Sequence, residues 1–147
     1  MVIRDRIALG AFAGAIAAVL QLIFNFISVK IEFAKFYDFQ LSGSIYLEKQ
    51  LTYTFWGIIL GVITWLFVGT GLGIAMVYLI RRTGKDFWWL KGVLISNFIM
   101  YTLVYGFFFG IKAPNVVPWD IPTNWSVLID NTIFGLIASF LIVRWNE

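Results

Sequence analysis

Residues 50–80 read QLTYTFWGIILGVITWLFVGTGLGIAMVYLI, 31 residues in a row without a charged side chain. Strands of a membrane barrel alternate apolar and polar positions over about ten residues, and this run does not alternate. A membrane-crossing helix needs about 20 mostly apolar residues. As a helix, this one would be about 46 Å long against a hydrocarbon core of about 30 Å. It is therefore expected to tilt, bend or protrude, and Gly69, Gly71 and Gly73 mark the expected bend.

Three further runs share this character: 7–29 and 92–111 carry no charge, and 121–143 carries only Asp130. The first follows Arg4 and Arg6 but exceeds the usual 7–15-residue core of a signal peptide, so it is expected to remain as a helix. The expected fold class is all-α, a polytopic membrane protein with four transmembrane helices in a single domain, 1–147. The helices are expected at about 7–29, 50–80, 90–111 and 123–143.

Composition narrows the chemistry. The chain is 61% hydrophobic and 13% charged, where a soluble domain is about half apolar and a quarter charged. It has neither Cys nor His, which removes disulfides, thiol catalysis, Cys/His zinc sites and His acid–base chemistry. The glycine run at 69–73 lacks the third glycine of a dinucleotide fingerprint, since Ile74 stands there, and no Lys-Ser/Thr follows. No catalytic residue, metal ligand or cofactor site is expected.

Seven of the eleven basic residues (Arg4, Arg6, Arg81, Arg82, Lys85, Lys91 and Arg144) fall at the termini and second connection. The other four, Lys30, Lys35, Lys49 and Lys112, lie in the first and third connections, the first of which also holds Glu32, Asp38 and Glu48. The positive-inside rule then predicts both termini in the cytoplasm. Arg81, Arg82 and Lys85 are expected to contact anionic headgroups, and the net charge of +3 implies membrane anchoring rather than nucleic-acid binding.

Small residues recur at spacing four: Gly10, Gly14 and Ala18; Gly57 and Gly61; Gly69 and Gly73; Asn131, Gly135 and Ser139. Such stripes let helix backbones approach within a lipid bilayer, either inside one chain or between subunits. The first connection mixes Phe33, Phe36, Tyr37 and Phe39 with charges, and is expected to extend helix 1 into the interface or lie on it. Ser44 is the expected cap of the second helix, and Thr123 or Asn124 that of the fourth. The prolines Pro114, Pro118 and Pro122 are expected to stiffen the third connection.

Asp130 is the one formal charge well inside a span, about 8 Å below the interface that Trp125 marks. Gln21, Asn25 and Ser28 share one face of helix 1 at similar depth. Gln21, Asn25 and Asp130 are therefore expected to form one polar cluster, with Asn131 pointing about 100° away. Two readings stand: interhelical glue, or a site for an ion, a proton or a headgroup. Lys30 is a candidate to snorkel back towards Asp130.

The order of features includes Trp56-Gly57-Ile58-Ile59-x-Gly61, a basic second connection, Lys112-Ala113-Pro114, and Asp130-Asn131-Thr132 followed by Phe134-Gly135-Leu136. It is similar to the small four-helix bacterial membrane proteins of the YqhR type. The resemblance implies a bacterial plasma membrane and brings no catalytic residues with it. The first connection, rich in Phe and charge, departs from that pattern. The expected role is a non-enzymatic subunit, assembly or interaction component of the plasma membrane. The alternative is an oligomeric small channel or transporter built around Asp130; a lipid-directed enzyme is disfavoured because no nucleophile–base or metal spacing is present. Expected partners are the lipid bilayer and a second copy or another membrane protein.

Overall fold

The structure is a computed structural model that describes residues 3–110 and 120–145. Among the described residues every regular element is helical. The chain runs α1 (Arg6–Lys30), α2 (Asp38–Gly43), a 3₁₀ turn (Lys49–Tyr53), α3 (Phe55–Thr83), α4 (Trp88–Ser96), a π-helical continuation (Asn97–Phe109) and α5 (Ile121–Trp145). Four helices are long and apolar enough to cross a membrane: α1, α3, the α4–π unit over Trp88–Phe107, and α5. The molecule is thus a multi-pass membrane protein.

Local chemistry sets the ends. Asp5 caps α1 by accepting from Ala8 N at 2.6 Å. Thr54, not Ser44, caps α3 by accepting from Gly57 N at 3.2 Å. The Ser44 hydroxyl instead donates to Leu41 O at 2.6 Å, closing α2 behind it. The long second span therefore opens at Phe55 rather than at residue 50, because Lys49–Tyr53 winds into a 3₁₀ turn first. It stops at Gly84, whose φ of +87° suits a residue without Cβ. Lys91 Nζ donates to the last carbonyls, Thr83 O at 3.1 Å and Gly84 O at 2.9 Å, as cations near helix C-termini do.

Asp120 caps α5, so the helix begins two residues earlier than expected. Its carboxylate accepts from Thr123 N at 3.0 Å and from the Thr123 hydroxyl at 2.9 Å. Pro122 sits in the first turn, where a missing N–H costs nothing. Pro114 and Pro118 lie outside the described residues.

Packing follows the small residues. α1 packs chiefly on α3 and next on α5, and α4 packs on α5. A Cβ placed on Gly10 would strike the Ile74 backbone, one on Gly14 the Gly69 carbonyl, and one on Gly73 the Gly10 carbonyl. Gly92 and Gly135 make the equivalent contact between α4 and α5. All these approaches lie within one chain. Helices in lipid gain nothing from hiding apolar surface, so van der Waals contact at such places holds them together. α3 stays helical from Phe55 to Thr83, across the expected bend at Gly69, Gly71 and Gly73; Gly69 and Gly73 act as contact points, and Gly71 meets no neighbour.

Ile3 N donates to Trp145 O at 3.0 Å, and Arg81 Nη2 reaches Arg4 O at 3.4 Å. Both described ends of the chain and the α3–α4 connection therefore share one end of the bundle. The opposite, far end carries α2. Between the ends, Leu9, Ala13, Ala17, Leu72, Met76, Val77, Phe134 and Ala138 fill the core.

Candidate carboxylate site at the far end of the bundle

The segment after α1 does not run on into the interface. Ser28 O accepts from Phe33 N and Ala34 N at 2.9 and 3.1 Å, and Glu32 takes a left-handed φ of 62°. The chain thereby reverses and lays α2 against α3. Burial then alternates: Ala34, Phe36, Asp38 and Gln40 point inward, while Lys35 is exposed. Gly61 admits this close approach, since a Cβ there would hit the Phe39 carbonyl. The Ser42 hydroxyl donates to Gly61 O at 2.7 Å. The lipid-facing helix expected from the aromatic content is therefore corrected: Phe36 turns in to stack on Tyr105 at 6.4 Å, while Tyr37 stacks with Phe26 and Phe39 nearer the surface.

This reversal delivers Asp38 into the bundle. Its N–H donates to Asn25 Oδ1 at 2.9 Å, and Asn25 Nδ2 donates to Phe36 O at 3.4 Å. Asn25 is thus committed to the returning chain. Gln21 does not reach Asp130 either; its Nε2 donates to Asn131 Oδ1 at 3.3 Å. Asn131 in turn donates to Val127 O at 2.8 Å, and its own carbonyl accepts the Ser96 hydroxyl at 2.6 Å. Gln21, Asn25 and Asp130 are each at most 2% exposed; Gln21 bonds Asn131 and Asn25 takes the Asp38 N–H, and neither bond reaches Asp130.

Asp130 is what remains. The Asn25 and Ser126 side chains stand beside its carboxylate, yet neither Oδ1 nor Oδ2 completes a hydrogen bond. Asp38 Oδ2, Ser126 Oγ and the Tyr105 hydroxyl are also buried without partners among the described residues. Asp38, Tyr105 and Asp130 line one cavity of about 40 Å³, closed elsewhere by Gln21, Trp65 and Asn131. That volume admits water, which needs roughly 10–15 Å³ on this measure. Burial, and then the charge of Asp130, push the Asp38 carboxyl well above the usual carboxylate range.

Among the described residues, no Lys or Arg pairs with Asp38 or Asp130. Lys30 is exposed and lies over the Phe26 ring, 5.5 Å from its centroid, so it does not snorkel to Asp130; the ring face offers a cation a nearer partner at the surface. Lys35 Nζ pairs with Asp120 Oδ2 at 2.9 Å. Burial raises the Asp120 carboxyl, but the Thr123 and Lys35 hydrogen bonds outweigh it, and the net effect lowers it. At the other end, Arg82 and Lys85 are exposed and Arg81 is half-buried.

Sequence reasoning missed Asp38, counting it among the charges of an outer loop. The residue types from Ala34 to Asp38 carry no alternation that would have found it, since Phe36 and Tyr37 are both aromatic and Asp38 is charged at the inward parity. Compared with known proteins, the chain matches no family model, no curated protein and no solved structure.

Proposed function

We propose that this chain is a small non-enzymatic transport component of a bacterial plasma membrane, with both termini cytoplasmic, that binds and releases a small cation at Asp130. The observation that carries the reading is the state of that carboxylate. Both its oxygens are buried beside a cavity with no partner among the described residues. An acid inside a membrane is costly, and such residues mark ion or proton pathways. The concentration of Lys and Arg at the termini end supports the orientation, and Arg81, Arg82 and Lys85 there meet anionic headgroups. The resemblance to YqhR-type proteins supports the bacterial location. Below the cavity Leu72, Met76 and Phe134 fill the core, so a second copy or another subunit completes the pathway. The test is flux of protons and of monovalent cations into liposomes holding the full chain. Asp130→Asn abolishes the flux on this reading; unchanged flux overturns it.

A second reading, a subunit or assembly component of a larger complex, is favoured by the third span. It packs mainly on α5 and is the least buried of the four spans, 17% against 33–50% for the others. Native mass spectrometry of gentle membrane extracts separates the two. A stoichiometric foreign partner favours the subunit, and a homo-oligomer alone favours a pathway between copies.

A further inference from the structure

We infer that the cation held at this site is a proton shared between Asp38 and Asp130, so that α2, which crosses no membrane, supplies half of a carboxylic acid pair. The inference rests on the transport reading above only for its use; the pair itself stands on geometry. Asp38 and Asp130 come from different elements, line the same 40 Å³ cavity and are each at most 2% exposed. Among the described residues, Asp38 Oδ2 and both oxygens of Asp130 lack hydrogen-bond partners.

Two carboxylates in one desolvated site cannot both ionise, and one proton between them removes most of the cost. A metal cation fits less well. Hard divalent ions take six to eight oxygens, whereas the rest of the wall includes Leu41, Val68, Met100 and Val104. Gln21 and Asn25 are already bonded elsewhere. The Tyr105 hydroxyl faces the same cavity without a partner, placed as a donor to whichever carboxylate is charged.

Among the described residues the surrounding charges do not supply an alternative. α1 offers the uncharged Gln21 and Asn25, and α3 offers Trp65. The third span offers Tyr101 and Tyr105, and α5 adds Asp120, already paired with Lys35. In each cycle water in the cavity delivers a proton to the charged carboxylate of the pair, and one carboxyl O–H bond then breaks to return a proton to water, so that one proton always stays between the two acids. No electrons move.

The test is an infrared pH titration of the full chain in lipid nanodiscs, following the carbonyl stretch of a protonated carboxylic acid. At neutral pH the wild type should show a buried acid band that surface carboxylates do not. Asp130→Asn, by removing the neighbouring charge, should move loss of the Asp38 proton to lower pH by about one unit or more, a tenfold change in proton affinity. The double variant with Asp38→Asn should lose the band. An unshifted Asp38 titration overturns the pairing. The second measurement needs no variant: the wild-type titration in sodium or potassium chloride should match that in choline chloride. A shift caused by the metal ion overturns the proton assignment while leaving cation transport intact. Conversely, a coupled titration with flux indifferent to Asp130→Asn supports the pair and sinks the transport reading.

Discussion

The backbone N–H of Asp38 donates to Oδ1 of Asn25 across 2.9 Å, and with the Asn25 Nδ2 bond to Phe36 O at 3.4 Å it joins the returning chain to α1. Asp38 and Asn25 are each 2% exposed, so neither group has water as a substitute. Asn25→Ala leaves the Asp38 N–H buried and unsatisfied, at a cost of about 1–3 kcal/mol. A lower thermal midpoint in detergent or nanodiscs is the expected outcome, together with loss of the shared-acid band as α2 loosens. A variant as stable as wild type would show that α2 is held by its contacts with α3 alone.

The glycines of α3 should separate by position. A Cβ on Gly73 would run into the Gly10 carbonyl and approach Gly14 Cα at 2.8 Å, whereas Gly71 meets nothing within 4 Å. Gly73→Val should therefore destabilise by about 1–3 kcal/mol or more through overpacking. Gly71→Ala should be neutral or slightly stabilising, since Ala suits a helix better than Gly. Equal effects in a thermal-unfolding comparison would contradict the close α1–α3 approach.

Asp120 has two separable roles. Its cap on Thr123 N should make Asp120→Ala cost about 0.5–2 kcal/mol. Asp120→Asn keeps a capping oxygen and loses the exposed pair with Lys35, worth about 0–1 kcal/mol. Because the folded-state carboxyl is lowered, its stabilisation is complete above the unfolded value near pH 4 and is lost as pH falls through the folded value. Thermal midpoints measured against pH should thus fall more steeply on the acid side for wild type than for Asp120→Asn.

The chain has no cysteine, so single replacements report orientation cleanly. Lys85→Cys, at the termini end, should react with an impermeant thiol reagent only after the cytoplasmic face is opened. Tyr46→Cys, at the exposed far end, should react in intact cells. The reverse pattern would refute cytoplasmic termini.

Much of the architecture is legible in the chain itself. Long uncharged runs can satisfy their backbone in lipid only as helices, so the number and approximate extent of the apolar helices follow from counting residues. Small residues at spacing four mark where helices touch, because nothing larger permits backbone contact: Gly10, Gly14, Gly69 and Gly73 could be picked out directly, though not which helix each one meets. That Gln21, Asn25 and Asp130 turn inward was also readable, since polar groups inside a span avoid lipid.

Tertiary structure alone decided the rest. That Gln21 bonds Asn131 and that Asn25 takes the Asp38 N–H depend on helix rotation and chain reversal. Periodicity specifies the faces of a helix but not which neighbour each face meets. Asp38 shows the limit most clearly: among charged and aromatic neighbours it reads as a surface residue. It becomes an interior acid only because the turn at Glu32 and the bare backbone of Gly61 let α2 fold inward.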